Sequence, residues 1–196
     1  AFYGCNFYEY NNQGVVLVDG WAIGYTSWVH KELELVDLRG IADSAFELCD
    51  TLRKVVTPKD IAIPGNAFHK CQNLNTVIIS EGTTVVGGNA FSSCHSLIHV
   101  SLPDSLQVIG SESFYGCISL TGLTLPQHIE TIGMRAFYGC DSLTGLILPS
   151  SITEIGLDAF AQCHSLKSIT ISKCFQICSV FGTRNSITNI TVMDGV

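Results

Sequence analysis

The sequence predicts a solenoid, a chain wound into short stacked coils, with a repeat of about 23 residues. Three observations carry that prediction. A motif of Ala-Phe, two variable residues and Cys recurs as Ala45/Phe46…Cys49, Ala67/Phe68…Cys71, Ala90/Phe91…Cys94, Ala136/Phe137…Cys140 and Ala159/Phe160…Cys163, with Ser113/Phe114…Cys117 as a variant. The phenylalanines of these motifs stand 22, 23, 23, 23 and 23 residues apart. Apolar residues at strand-like spacing follow each motif, and a unit this short cannot bury its apolar face without a neighbour.

In chain order, residues 1–44 hold a partial repeat at Ala1–Cys5 and then a different pattern. Val15-Val16-Leu17-Val18, Asp19-Gly20 and Trp21-Ala22-Ile23-Gly24-Tyr25 read as a β-hairpin around a two-residue turn, an insertion over about 15–29 packed on the end of the stack or beside it. Leu38, Ile41, Ala45 and Phe46 resume the period, and regular coils run over 45–172. The clearest coil is Leu106 to Pro126. Its Leu120, Leu123 and Leu125 follow the Leu-x-x-Leu-x-Leu strand signature of leucine-rich repeats. Leu123 and Leu125 point inward, Gly122 and Thr124 point outward, and Pro126 ends the strand because it has no N–H for a ladder.

The fold class is therefore a leucine-rich-repeat solenoid. A parallel β-sheet lines the concave face, and short strands with 3₁₀ or helical turns, such as Ser113-Phe114, lie on the convex side. Gly110, Gly133 and Gly156 each follow an inward Ile, which suggests a sharp turn at that corner. Residues 173–196 form a degenerate repeat and the start of the next, with Val180-Phe181 for Ala-Phe, Arg184 in the Cys place and Ile187/Ile190/Val192 as its strand. The chain opens inside one repeat and stops inside another, the pattern expected of a piece of a longer array.

Composition narrows function. A formal net charge of −7 argues against nucleic acid, which calls for a clustered basic face. No apolar run approaches the roughly 18 residues of a membrane span. Charged residues make up only 14% of the chain, and Ser, Thr, Asn and Gly fill the exposed positions instead.

The six motif cysteines, spaced like the phenylalanines, form a column of thiols. Burial as inert small hydrophobes is the simplest reading. Disulfides between coils fit the ~5 Å spacing but not the ~90° torsion, and one Cys per coil makes a line of sulfurs rather than a metal tetrahedron. Cys174 and Cys178 stand off the column and either pair with each other or stay free. His69, His95 and His164 lie near column cysteines, but no third group recurs to orient a Cys–His pair, so surface loops are their expected place. Asn189-Ile190-Thr191 matches a glycosylation sequon whose middle residue is a core strand position, and it reads as chance. No catalytic residue, metal site or cofactor is assigned.

The unit Leu-x-x-Ile-Gly-x-x-Ala-Phe-x-x-Cys-x-x-Leu-x-x-Val-x-Leu-Pro resembles the BspA-type leucine-rich repeat, over roughly residues 38–172 and more loosely over 173–196. The segment from Val15 to Tyr25 also resembles the hairpin that interrupts such arrays. Pro64 for Gly, Ser113 for Ala and Arg184 for Cys depart from the pattern. The resemblance implies a cell-surface or secreted protein of bacteria or protozoa, associated with adhesion to host proteins, extracellular matrix or other microbes.

The expected function is a non-enzymatic interaction module that binds a protein or peptide through its concave sheet. The candidate contact residues are the outward strand positions Thr76, Ile78, His99, Ser101, Gly122, Thr124, Gly145, Ile147, Ser168 and Thr170. The alternative is a structural spacer whose binding or catalytic parts lie elsewhere in the full-length protein.

Overall fold

The computed structural model describes residues 9–172, 177–182 and 186–193. The repeat winds into stacked coils whose phenylalanines, from Phe46 to Phe181, form one interior column of rings. From Phe46 to Phe160 successive centroids lie 5.1–5.3 Å apart with planes within 11°. That spacing matches the ~4.8 Å rise of hydrogen-bonded strands, so ring stacking and backbone pairing share one period. Every one of these rings is fully buried, as the shared-interior argument requires.

Each coil has three sides. The first carries the longer strands: Glu32–Glu34, Lys54–Val56, Thr76–Ile78 and His99–Ser101 form one parallel sheet, and Gly145–Leu148, Ser168–Ile171 and Asn189–Val192 form another. In both, alternate residues such as Val55, Val77, Leu146 and Ile169 point into the core. The second side is a parallel ladder of Val85–Val86, Val108–Ile109, Thr131–Ile132 and Glu154–Ile155, joined at one end by the Ile63–Val86 bridge.

The third side is the Ala-Phe-x-x-Cys segment, a run of tight turns among which the only described helix is Ile177–Phe181. The residues two before and two after each phenylalanine are left-handed, in the pairs Ser44/Leu48, Asn66/Lys70, Asn89/Ser93, Glu112/Gly116, Arg135/Gly139 and Asp158/Gln162, with φ of 52–71°. This alternation frees peptide groups to bond the next coil: Phe46 N–H donates to Ala67 O and Leu48 N–H to His69 O, both at 2.8 Å, and later coils repeat the pattern.

A turn does start at the glycines after the inward Ile, where the Ser113, Ala136 and Ala159 N–H groups donate to Gly110, Gly133 and Gly156 O, but the turn is not what requires glycine. None of Gly110, Gly133 and Gly156 has positive φ. Their N–H groups donate to Val86, Ile109 and Ile132 of the preceding coil at 2.7–2.8 Å. A Cβ on Gly133 would lie 2.4 Å from Ser111 N, and one on Gly156 would lie 2.3 Å from Met134 N. Glycine is required by close approach of two backbones, not by a bend. Pro64 holds the same place and has no N–H to give to Ile41, and no strand pairing joins Gly40–Ile41 to Ile61–Pro64.

The hairpin adds a ring to the column at Phe46. Val15–Val18 and Trp21–Tyr25 pair antiparallel around Asp19 and Gly20, both at positive φ as a type I′ turn demands. Trp21–Tyr25 then pairs in parallel with Gly40–Ile41, continuing the second side of the coils. Tyr25 lies on Phe46 with centroids 6.3 Å apart, and its hydroxyl donates to Glu47 O.

Candidate binding face

All ten residues singled out in the sequence lie on the first side, and none is buried. Pairing sets Thr76 beside His99 and Ile78 beside Ser101, and the His99–Gly122 bridge adds one more rung. Gly145 lies beside Ser168 and Ile147 beside Thr170. Lys54 and Val56 extend the row on one flank, Asn189 and Thr191 on the other. His99, Ser101, Gly122, Thr124, Ile147 and Ser168 are exposed, and the others are half-buried. Ile147, at 58% exposure, is the most open large apolar residue among the ten.

The face is not continuous. No strand pairing joins the Gly122–Leu125 segment to Gly145–Leu148, so the sheet divides there. Two successive glycines remove the cross-strand side-chain contacts that hold neighbouring strands. Beside the break an open groove of about 360 Å³ is lined by Val100, Ser101, Leu102, Asp104, Thr124, Leu125, Pro126 and Gln127. Val100 and Leu102 occupy inward positions yet are only partly buried, while their counterparts Val77 and Ile79 are at 0% and 3% exposure. Sequence reasoning named Ser101 and Thr124 but missed this groove; the only signal was the pair of glycine rungs.

The thiol column is structural. Cys49, Cys71, Cys94, Cys117, Cys140 and Cys163 are free and buried. Burial pushes the Cys117 and Cys140 thiols well above the usual range and Cys163 up to about 12, so these three offer no thiolate nucleophile at neutral pH. Each thiol from Cys71 onward donates to the phenylalanine carbonyl of the preceding coil, as Cys117 does to Phe91 O at 3.3 Å. The thiol place thus contains a polar acceptor. Reading these thiols from sequence as small hydrophobes in an apolar column leaves out that acceptor.

The histidines divide. His95 is exposed, and His164 pairs with Asp141 at 2.7 Å. His69 is not the surface residue expected: it is partly buried, its Nδ1 has no partner, and burial lowers its pKa. Ile190 of the sequon keeps the inward strand register of Ile169, with which it pairs, and is 49% exposed on the last described strand. Cys5, Cys174 and Arg184 lie outside the described residues, as does the side chain of Cys178. Among the described residues no group of three or more His, Cys, Asp or Glu is placed to hold a metal ion, and no helix is long and apolar enough to cross a membrane.

Comparison with known proteins agrees with this architecture. The chain is similar in fold to a leucine rich repeat protein of T. pallidum, with 23% identity over 95% of this chain and 80% of that one and a TM-score of 0.54. It is also similar to the pneumococcal vaccine antigen PcpA, with 21% identity over 93% of this chain and a TM-score of 0.61, but it spans only 47% of that protein. A leucine rich cell surface protein of Faecalibacterium prausnitzii gives 20% identity, 96% and 76% coverage and a TM-score of 0.53. Comparison with curated proteins finds no match. The BspA type leucine rich repeat region matches in six copies, over residues 1–120, 39–166 and 84–196. The chain belongs to the BspA-type leucine-rich repeat family, whose repeats commonly serve as protein-interaction modules.

Proposed function

We propose that this chain is a non-enzymatic protein-binding module of a cell-surface or secreted protein, engaging a host, matrix or microbial protein through its strand face. The observation that carries the reading is a set of ten solvent-facing residues, mostly small and none of them Asp, Glu, Lys or Arg, held on two paired strand groups by the coils beneath. Such a surface suits a broad protein contact better than a charged small ligand. The presence of a vaccine antigen and a cell surface protein among the similar structures supports an extracellular setting. In the same proposal residues 1–44 are a partial N-terminal repeat with an inserted hairpin over about 15–29, 45–172 the regular repeats and 173–196 a degenerate repeat and the start of the next.

Purified extracellular-matrix and serum proteins, passed over the immobilised chain, test the proposal. At least one should bind, and the pair Thr124→Lys with Ile147→Lys should weaken it about tenfold or more while leaving thermal unfolding in place. Binding untouched by both changes would move the site off this face. The spacer reading has its own support in the three-sided backbone bonding, which holds the coils together without help from the side chains of the face residues. Removing two whole repeats separates them: a spacer keeps the full-length protein's binding, whereas a binding face loses it.

A further inference from the structure

We infer that the groove between the His99–Ser101 strand and Gly122–Gln127 is the anchoring point of the strand face. Its occupant is an extended segment of a protein partner, seating one aliphatic or aromatic side chain beside a Lys or Arg. The inference rests on the reading of the strand face as a protein-binding surface. Three independent features point to that occupant.

The first is an opened core. Val100 and Leu102 point inward but stay partly exposed, and with Leu125 and Pro126 they make apolar walls for one side chain. The second is an interrupted ladder. Leu35 N–H donates to Val56 O, Thr57 N–H to Ile78 O and Ile79 N–H to Ser101 O, at 2.9–3.0 Å. The next bond in that series, from Leu102 N–H to Thr124 O, is absent, which leaves one donor and one acceptor at the groove for a peptide main chain. The third is charge. Asp104 is the only charged residue lining the groove, and its backbone N–H donates to a Glu81 carboxylate oxygen, which sets a second negative group beside it. An apolar anchor with a neighbouring cation complements this arrangement.

The test is titration of isotope-labelled full chain with the blocked peptide acetyl-Ser-Leu-Ser-Arg-Ser-amide, read from backbone amide shifts. Shifts should concentrate at Val100–Asp104 and Thr124–Gln127. Replacing the peptide's Leu by Ser should weaken binding about tenfold. Replacing its Arg by Glu should weaken it too, and Asp104→Asn should erase most of that second difference. No shifts at the groove at millimolar peptide, or equal shifts from the Leu and Ser peptides, would overturn the inference. Shifts at Thr76, Ile147 or Thr170 with none at the groove would overturn it while leaving the strand-face reading intact.

Discussion

Ser113 stands where the other coils have Ala45, Ala67, Ala90, Ala136 and Ala159, and its side chain is fully buried with no partner for Oγ. Its backbone does what theirs does: Ser113 N–H donates to Gly110 O, and Ser113 O accepts from Phe91 N–H. Ser113→Ala therefore removes one uncompensated hydroxyl and leaves the ladder untouched. An unpaired buried hydroxyl costs about 1–3 kcal/mol, and the vacated space is smaller than a methyl group, so a gain of about 1–2 kcal/mol is expected. For a chain of this size that raises the thermal midpoint by about 2–8 °C. The assay is urea and thermal unfolding followed by circular dichroism, with the slope on urea checked for constancy because arrays can lose cooperativity. Ala136→Ser, one coil away, should lower stability by a similar amount. A Ser113→Ala midpoint equal to or below that of the parent would refute the reasoning, since the hydroxyl would then have a partner in solution.

Gly133→Ala should cost about 2–3 kcal/mol, because its Cβ would meet backbone at 2.4 Å, whereas Gly122→Ala, with open space around it, should stay within about 0.5 kcal/mol; equal effects in urea melts would show that close approach is not the reason for glycine. Leu48 holds a left-handed φ of 61° while 56% exposed, so Leu48→Gly should raise the urea midpoint by the equivalent of about 1 kcal/mol, and a loss would mean the side chain has a hidden contact. Cys117→Ser should be tolerated about as well as Cys117→Ala, within about 1 kcal/mol, because the Phe91 carbonyl can accept from the hydroxyl; a clearly larger loss for Ser would restore the apolar-column picture. Alkaline pH should unfold the array. Burial raises the thiols of Cys49, Cys117, Cys140 and Cys163, the last to about 12, so stability is intact below the unfolded thiol value of about 8.5 and falls as pH rises beyond it. Urea midpoints that stay level from about pH 8 to pH 10.5 would contradict this.

Much of the architecture was legible in the residues alone. The regular distance between phenylalanines predicts one ring per coil, and Asp19-Gly20 between two apolar runs predicts the hairpin, because both depend on contacts that repeat identically or lie a few residues apart. Alternation along Thr76–Ile78 or Ser168–Ile171 likewise tells which side chains face solvent, since strand geometry leaves no other choice. The opening beside Leu102 was not legible. It depends on whether two backbones about 22 residues apart come within hydrogen-bond distance, and Gly122 only makes that pairing weaker. The same holds for the acceptor beneath each thiol, the orphaned Nδ1 of His69 and the backbone under Gly133. Periodicity determined which residues belong to the interior and which to the surface; distances between neighbouring coils, which no single repeat encodes, decided where that surface is closed and where it stands open.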